Sequence, residues 1–148
     1  MPTISPVQPV DVQGAIARAA TRTGVDFDYL LAQARLESGL DPSAKARTSS
    51  ATGLYQFIDS TWLRTLDRHG AKHGMDWADA AIGSNGRVAD RATRDHLLSL
   101  RYDADTSSLM AAELTRENAA GLQTILGREA EPAELYLAHF MGLGGAQQ

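Results

Sequence analysis

The stretch that decides the fold is residues 26–40, with the sequence DFDYLLAQARLESGL. Asp26 is a residue type that caps helix N-termini, and Gly39 is the residue type that most often ends a helix. The segment between them is rich in helix-forming residues. The stretch therefore predicts one helix that runs to Ser38 and stops there.

One face of this predicted helix ends in a carboxylate. Leu30, Ala34 and Glu37 follow helical spacing, so they share a face that is mostly apolar. Burial and the negative end of the helix dipole both disfavour an ionised carboxyl group at this position. A carboxyl group that stays protonated near neutral pH can act as a general acid. A solvated Glu37 at the rim of the helix is the alternative, and the helix alone does not decide between them.

The residues after Glu37 form an ordered series. Its pieces are ESGLDPSA over 37–44, TSSAT over 48–52, GLYQFI over 53–58 and STW over 60–62. This series resembles the lytic transglycosylase domain, whose members carry Glu-Ser, a nearby Pro, a Ser/Ala-rich stretch, Gly-Leu-x-Gln and a Thr-Trp or Thr-Ala pair in this order. Each piece is common alone, but the ordered combination is specific, and a looser resemblance covers most of the chain.

The resemblance implies a mainly α, lysozyme-like domain, with a short β-hairpin after the catalytic helix. It also implies cleavage of the bond between N-acetylmuramic acid and N-acetylglucosamine in peptidoglycan. Glu37 would protonate the glycosidic oxygen, and its carboxylate would then accept the proton of the muramic-acid 6-hydroxyl, giving a 1,6-anhydro product. Family members stabilise the cationic centre through the acetamido group of the substrate, so acid/base cleavage of this kind needs no cofactor or metal.

The Gly-Leu-x-Gln segment supplies three candidate substrate-binding residues. By resemblance, Gln56 lines the cleft and binds the sugar, whereas a surface amide is the alternative. One of Tyr55 and Phe57 is expected to face the core, and the other to pack on a sugar ring in the cleft.

Hydroxyl residues near Glu37 supply further candidates. Ser38 either caps the helix end or supports Glu37, as its family counterpart does. Thr48, Ser49 and Ser50 compete for the family role of contacting the acetamido group, because the spacing from Glu37 to Gly53 is one residue longer than in the commonest pattern.

Glu113 lies on a predicted long helix, where a solvated surface residue is one interpretation. A second carboxylate that assists Glu37 is the other, and this role would favour a muramidase, which uses water as the nucleophile.

The end of the chain departs from the family. Many members carry Ala-Tyr-Asn-Ala-Gly, and this chain has AHFMG over 138–142, so the family Tyr falls on His139 and the Asn on Phe140. Tyr136 or His139 is therefore expected to reach Glu37, and His139 could titrate there. The residues assigned to substrate binding are Ser38, Ser49, Ser50, Tyr55, Gln56, Phe57, Glu113, Tyr136 and His139.

Composition agrees with one small enzyme domain. The chain has 148 residues, 43% of them hydrophobic, which is enough for a single core. A net charge of -4 without a basic patch argues against nucleic acid as a partner. The absence of cysteine excludes disulfides and thiolate metal sites. His69 and His73 have the i, i+4 spacing of metal ligands, but Gly70 is expected to break the helix between them.

The remaining helices are predicted from periodicity and stop signals. They span residues 10–23, 59–69, 87–101, 107–126 and 131–141. The sequence predicts a flexible segment over 1–9 and the enzyme domain over 10–148, truncated at its C-terminus.

A peptidoglycan enzyme acts in the periplasm or cell envelope. Met1 to Val10 has no signal-peptide pattern, and no apolar run approaches the roughly 20 residues of a membrane span. We therefore expect a removed signal, another export route, or a place within a larger envelope protein or a secretion or flagellar assembly. A non-catalytic peptidoglycan-binding module and a structural envelope domain are the alternatives, and the intact Glu37 and Gln56 argue against both.

Overall fold

The computed structural model describes residues 11–141, which are mainly helical. The predictions of a flexible segment over 1–9 and of a truncated C-terminus lie outside the described residues. Seven α-helices and two short 3₁₀ helices follow one another in the described range. They are α1 Val12–Thr23, α2 Phe27–Ser38, α3 Asp59–His69, the 3₁₀ helix Gly70–His73, α4 Asp76–Ala81, α5 Arg91–Ser99, the 3₁₀ helix Leu100–Tyr102, α6 Ala104–Leu126 and α7 Pro132–Met141.

Capping side chains set the helix starts. The Asp26 carboxylate accepts a hydrogen bond from the Tyr29 backbone N–H at 2.9 Å, so α2 begins where the sequence predicts. Asp90 and Asp103 cap α5 and α6 in the same way. For this reason α5 starts later than the predicted residue 87, and α6 starts earlier than the predicted residue 107.

Helix α3 ends at His69 with Gly70 as its C-cap, as predicted, but Gly70 does not break the helical path, which corrects the expectation that it would separate His69 from His73. The Gly70 backbone stays in the right-handed helical region at φ -58°, and the chain continues as a 3₁₀ helix to His73. His69 and His73 therefore both face α6 instead of diverging. The left-handed residue that ends this segment is Gly74, at φ 84°.

Helix α6 is the centre of the core. It packs against α1, α2, α3 and α7. Its first half is buried, including Met110, Ala111 and Ala112, and the buried face of α1 meets it with Ala15 and Ile16. Small residues on both helices allow the close approach that buries this face. The end of α2 and the loop that follows it lie at the edge of this core, where they can form a site.

The loop over residues 39–58 contains two isolated antiparallel bridges, Lys45 with Thr52 and Thr52 with Phe57. Residues 11–141 contain no β-strand, so the expected hairpin is reduced to these bridges. The loop approaches the helical body most closely at Gly53, which has φ +88°. A Cβ atom there would overlap the carbonyl oxygen of Arg101, so only glycine fits.

None of the helices within residues 11–141 combines the length and the apolar character needed to cross a bilayer.

The Gly53 contact yields a stability prediction. Gly53→Ala combines a left-handed backbone with a clash against Arg101, and should lower the free energy of unfolding by more than about 2 kcal/mol. Gly24→Ala is the matched control, because Gly24 also has positive φ, at +78°, but no atom lies within 4 Å of its added Cβ. That control should cost only about 1 kcal/mol. Urea unfolding measures both, and equal losses would contradict the close packing at Gly53.

Candidate active site

Glu37 lies in the last turn of α2, at the edge of the core. Its neighbours on the helix face, Leu30 and Ala34, are fully buried, whereas the Glu37 side chain is 22% exposed. The helix ends immediately afterwards, because Gly39 adopts a left-handed conformation and donates its N–H to the Arg35 carbonyl at 2.9 Å. The carboxyl group thus combines an apolar setting with access to solvent, as a general acid requires.

His139 on α7 contacts the Glu37 carboxyl group. Its Nε2 lies 2.9 Å from Glu37 Oε2, although the two residues are 102 positions apart in the chain. The imidazole is largely buried, with 15% of the side chain exposed. The expectation that Tyr136 or His139 reaches Glu37 is therefore confirmed for His139. Tyr136, one turn earlier on α7, packs its ring 6.3 Å from the imidazole, centroid to centroid.

Tyr29 belongs to the same cluster, although no sequence motif singles it out. Burial raises the pKa of the Tyr29 phenol to about 12, and the nearby Tyr136 and Glu37 reinforce the shift. Tyr29 therefore remains a neutral hydroxyl at any physiological pH. Gln33, between Tyr29 and Glu37 on the same face, is 1% exposed, and neither amide atom has a partner among the described residues.

Ser38 fastens the loop to the helix. Its hydroxyl lies 2.7 Å from the Leu54 carbonyl, which accepts its hydrogen, and it accepts the N–H of Asp41 at 3.1 Å. The hydrogen bonds of the described residues do not link it to Glu37. Ser38 thus places the Gly-Leu-x-Gln segment beside the end of α2.

Gln56 is held in a strained conformation within that segment. Its φ of 55° is rare for a residue other than glycine. The side-chain Nε2 donates to the Gly53 carbonyl at 2.9 Å and to the Ala44 carbonyl at 3.2 Å. Oε1 has no partner among the described residues, so it can accept a hydrogen bond from a ligand. A strained, fixed polar side chain with a free acceptor is typical of a binding site.

Tyr55 and Phe57 both point into the core, so the prediction that one of them faces the cleft is wrong. Tyr55 is 1% exposed and donates its hydroxyl to the Leu30 carbonyl at 2.8 Å. Phe57 is 4% exposed and packs edge-on against Trp62, with ring centroids 4.8 Å apart. The chain turns at residues 53–56, with Gln56 in the left-handed region, and this turn brings both rings into the core.

The three competing hydroxyl residues are all exposed. Ser50 accepts the N–H of Asp59 at 3.0 Å and so stabilises the start of α3, whereas Ser49 accepts the N–H of Ala51 at 3.2 Å. Thr48 precedes them in the same exposed turn. The assignment of the acetamido contact among Thr48, Ser49 and Ser50 stays a prediction.

Glu113 is neither a solvated residue nor a carboxylate facing substrate, which corrects both sequence-based interpretations. It is 2% exposed, and its Oε2 lies 2.8 Å from His73 Nε2. Its other oxygen lies 3.4 Å from Arg116 Nη1 and 3.7 Å from Lys72 Nζ. Burial alone would raise the pKa of Glu113, but the His73 hydrogen bond and these two cations outweigh it and hold the pKa below its ordinary value. The cluster joins α6 to the segment after α3.

Arg101 is a structural residue that the sequence did not reveal. Its guanidinium Nη1 donates to the carbonyls of Ser50 and Phe57 at 2.9 and 3.0 Å and pairs with Asp59 at 2.8 Å. It therefore holds the far side of the loop that carries Gln56. No local pattern announces this role, because its acceptors lie more than 40 residues earlier in the chain.

We expect Glu113→Gln to affect stability and not catalysis. Loss of the charge-assisted bonds should lower the free energy of unfolding near neutral pH by on the order of 2 kcal/mol. Because folding lowers the pKa of Glu113, its ionised carboxylate stabilises the folded protein at pH values above the ordinary pKa of 4.5. This stabilisation is lost as the pH falls through the pKa of Glu113 in the folded state. The difference between variant and parent should therefore shrink below that pH. Urea unfolding across the acid range checks this.

The control is Glu129→Gln, because Glu129 is exposed and its carboxylate makes no bond among the described residues. Its free energy of unfolding should equal that of the parent at every pH. A large loss of peptidoglycan cleavage in folded Glu113→Gln would contradict the structural assignment and restore the second-carboxylate interpretation.

Residues 14–80 match the family model of the transglycosylase SLT domain. The matched segment contains Glu37, Ser38 and Gln56, and it spans the helix, the loop and α3 that build the site. The match confirms the resemblance inferred from the ordered series after Glu37. The helix α7 with His139 lies outside the matched segment.

Proposed function

We propose that this chain, which belongs over residues 14–80 to the transglycosylase SLT domain family, is a peptidoglycan lytic transglycosylase with Glu37 as its single acid and base. The family acts on peptidoglycan, so the glycan strand is the substrate and the periplasm or cell envelope is the place of action. The observation that carries the catalytic assignment is the partly exposed Glu37 carboxyl group, held by His139 at the end of an otherwise apolar helix face.

The chemistry requires one group to give a proton and then take one. Protonated Glu37 donates to the oxygen between muramic acid and glucosamine as that bond breaks. The resulting carboxylate accepts the proton of the muramic-acid 6-hydroxyl, whose oxygen attacks the anomeric carbon of the same sugar. The product is a 1,6-anhydro ring, Glu37 is again protonated, and no water is consumed.

His139 suits both halves of this cycle. An Nε2–H that donates to Glu37 Oε2 is satisfied whether the carboxyl group is protonated or ionised, provided that the proton resides on Oε1. Oε1 then handles the proton that passes to and from the substrate. The imidazole thus orients the carboxyl group and stabilises the carboxylate after the first transfer, in the position where many family members have tyrosine.

The described residues provide no carboxylate bonded to or paired with Glu37. Glu113, the candidate from the sequence, is buried in its own ion cluster. This arrangement supports a mechanism in which the acetamido group of the substrate stabilises the cationic centre, and it gives no support to a two-carboxylate muramidase.

Digestion of purified peptidoglycan tests the proposed reaction. Mass spectrometry should show muropeptides that end in anhydro-muramic acid, each lighter by one water than its hydrolysed counterpart. Reducing-end muramic acid as the main product would identify a muramidase instead. Binding to peptidoglycan without release of any fragment would identify a binding module.

Glu37→Gln should abolish this release. The amide keeps the shape and polarity of the side chain but cannot donate or accept the catalytic proton, so the rate should fall on the order of a hundredfold or more. Glycan binding should survive, as a sedimentation assay with insoluble peptidoglycan would show. Near-full lytic activity in this variant, with Glu129→Gln as the control, would contradict the assignment of Glu37.

His139 variants test the orienting hydrogen bond. His139→Phe removes the donor to Glu37 while roughly keeping volume, and should slow cleavage about tenfold through loss of about 1.4 kcal/mol. His139→Gln can still donate from its amide nitrogen and should retain most of the rate. The thermal midpoint of both should stay near that of the parent.

The pH profile separates orientation from packing. A packing role would lower the rates of both His139 variants together without changing the profile. An orienting role predicts that the pH profile of His139→Gln stays close to that of the parent, because the amide still donates to Glu37, whereas the profile of His139→Phe changes.

A further inference from the structure

A second surface feature takes no part in the proposed proton transfers. It is a cavity of about 500 Å³ between the start of α3 and the loop over residues 83–90. Its lining residues are Ser50, Asp59, Ser60, Leu63, Gly86, Arg87, Val88 and Arg94. Ser50 belongs at the same time to the hydroxyl series predicted to contact the glycan, and that prediction would place the cavity next to the glycan strand.

The charge of this cavity is opposite to that of the protein. Its lining contains two guanidinium groups and one carboxylate, whereas the whole chain carries a net charge of -4. The Asp59 carboxylate is already engaged by the buried Arg101, at 2.8 Å, and lies 3.7 Å from Arg94. Arg87 has no side-chain partner among the described residues. Arg87 is therefore available to an anionic ligand, and Arg94 shares its only carboxylate partner within residues 11–141 with the buried Arg101, so the lining keeps a net positive charge.

Asp90 is the acidic residue next to the cavity along the loop, and it does not cancel this charge. Its carboxylate accepts hydrogen bonds from the Thr93 N–H at 3.0 Å and the Thr93 hydroxyl at 2.6 Å. These bonds hold its pKa below the ordinary value and keep it at the start of α5.

The loop that carries Arg87 is internally fixed. The Gly83 N–H donates to the Arg87 carbonyl and the Gly86 N–H to the Gly83 carbonyl, both at 2.8 Å. The Arg87 N–H donates in turn to Asn85 Oδ1 at 3.0 Å. Val88 packs against the hydrophobic core and anchors the end of this turn. The backbone beneath Arg87 is thus preorganised, which lowers the entropic cost of binding.

The cavity wall between the charged side chains is partly apolar. Leu63 and Val88 supply aliphatic surface, and Ser60 supplies a hydroxyl group. A ligand that fits this combination has free carboxylates separated by small or aliphatic side chains. Sugars of the glycan strand lack this chemistry, but the short stem peptides attached to muramic acid possess it.

We propose that this cavity, the arginine cavity, binds the carboxylates of a peptidoglycan stem peptide while the glycan lies in the groove beside Glu37. The proposal rests on the proposed function for the identity of the polymer. It makes Arg87 and Arg94 specificity-determining residues, with no part in the proton transfers. The chain should then cleave strands that carry stem peptides faster than bare strands.

Two substrates and one double variant test the proposal. Peptidoglycan with its stems and glycan strands stripped of stems by an amidase are digested by the parent and by R87Q/R94Q. We expect the double variant to lose about tenfold in rate on the stem-bearing substrate. On stripped strands it should match the parent. An equal loss on both substrates, or no loss on either, would overturn the proposal.

Controls separate charge from folding. Arg22→Gln removes one exposed positive charge from α1, outside the cavity, and should leave both rates unchanged. Arg87→Gln alone breaks no side-chain bond among the described residues, so it should keep the thermal midpoint of the parent and still reduce the preference for stem-bearing strands. Arg87→Lys keeps the charge and should restore part of that preference.

A binding measurement keeps this proposal distinct from the proposed function. The free stem tetrapeptide, released from the same peptidoglycan, is titrated into the parent and into R87Q/R94Q by calorimetry. Binding by the parent and its loss in the double variant would support the cavity even if the chain cleaved no glycan. Absence of tetrapeptide binding by the parent, or equal binding by both proteins, would overturn it.

Discussion

The abrupt end of α2 is the constraint on which the site depends. A helix that continued past Ser38 would carry the chain away from the core, and Glu37 would lie in mid-helix against its neighbours. The left-handed Gly39 turns the chain instead, and the Ser38 hydroxyl bonds the Leu54 carbonyl at 2.7 Å. Gly39 thus ends the helix, and Ser38, the residue before it, fastens the returning loop beside the carboxyl group.

Arg101 completes this arrangement from the other side. Its guanidinium is nearly buried and binds the loop at Ser50 and Phe57, while its own carbonyl lies so close to Gly53 that no side chain fits between them. The loop therefore has little freedom, although it contains no regular strand. That rigidity explains how Gln56 can be kept at a positive φ, and it fixes Ser50 in the lining of the arginine cavity.

Local chemistry predicted the helices better than it predicted the contacts between them. The caps and stop signals at Asp26 and Gly39 act over three or four residues, so α2 follows directly from its sequence. The bonds of Glu113 to His73 and of Arg101 to Phe57 join residues 40 and 44 positions apart, and no periodicity encodes them. Both residues are charged, so composition alone favoured the surface for each.

In the candidate site, too, the long-range contacts were harder to predict than the local structure. The contact of His139 with Glu37, across 102 positions, could be predicted only because a family pattern aligns His139 with a tyrosine near the catalytic residue. The same pattern could not show that Tyr55 and Phe57 both enter the core, because that outcome depends on the backbone at Gln56. Arg87 and Arg94 belong to no recognised motif, and their juxtaposition across the cavity arises from the fold.

The central claim is that Glu37 handles the proton of the scissile bond. A crystal structure of the Glu37→Gln variant with a bound peptidoglycan tetrasaccharide tests this claim most directly. The account predicts the oxygen between muramic acid and glucosamine within hydrogen-bonding distance, at about 3 Å, of the side-chain amide at position 37, with the 6-hydroxyl of the muramic acid on the same side. A tetrasaccharide bound with its scissile oxygen well beyond reach of position 37, or beside another carboxylate, would contradict it.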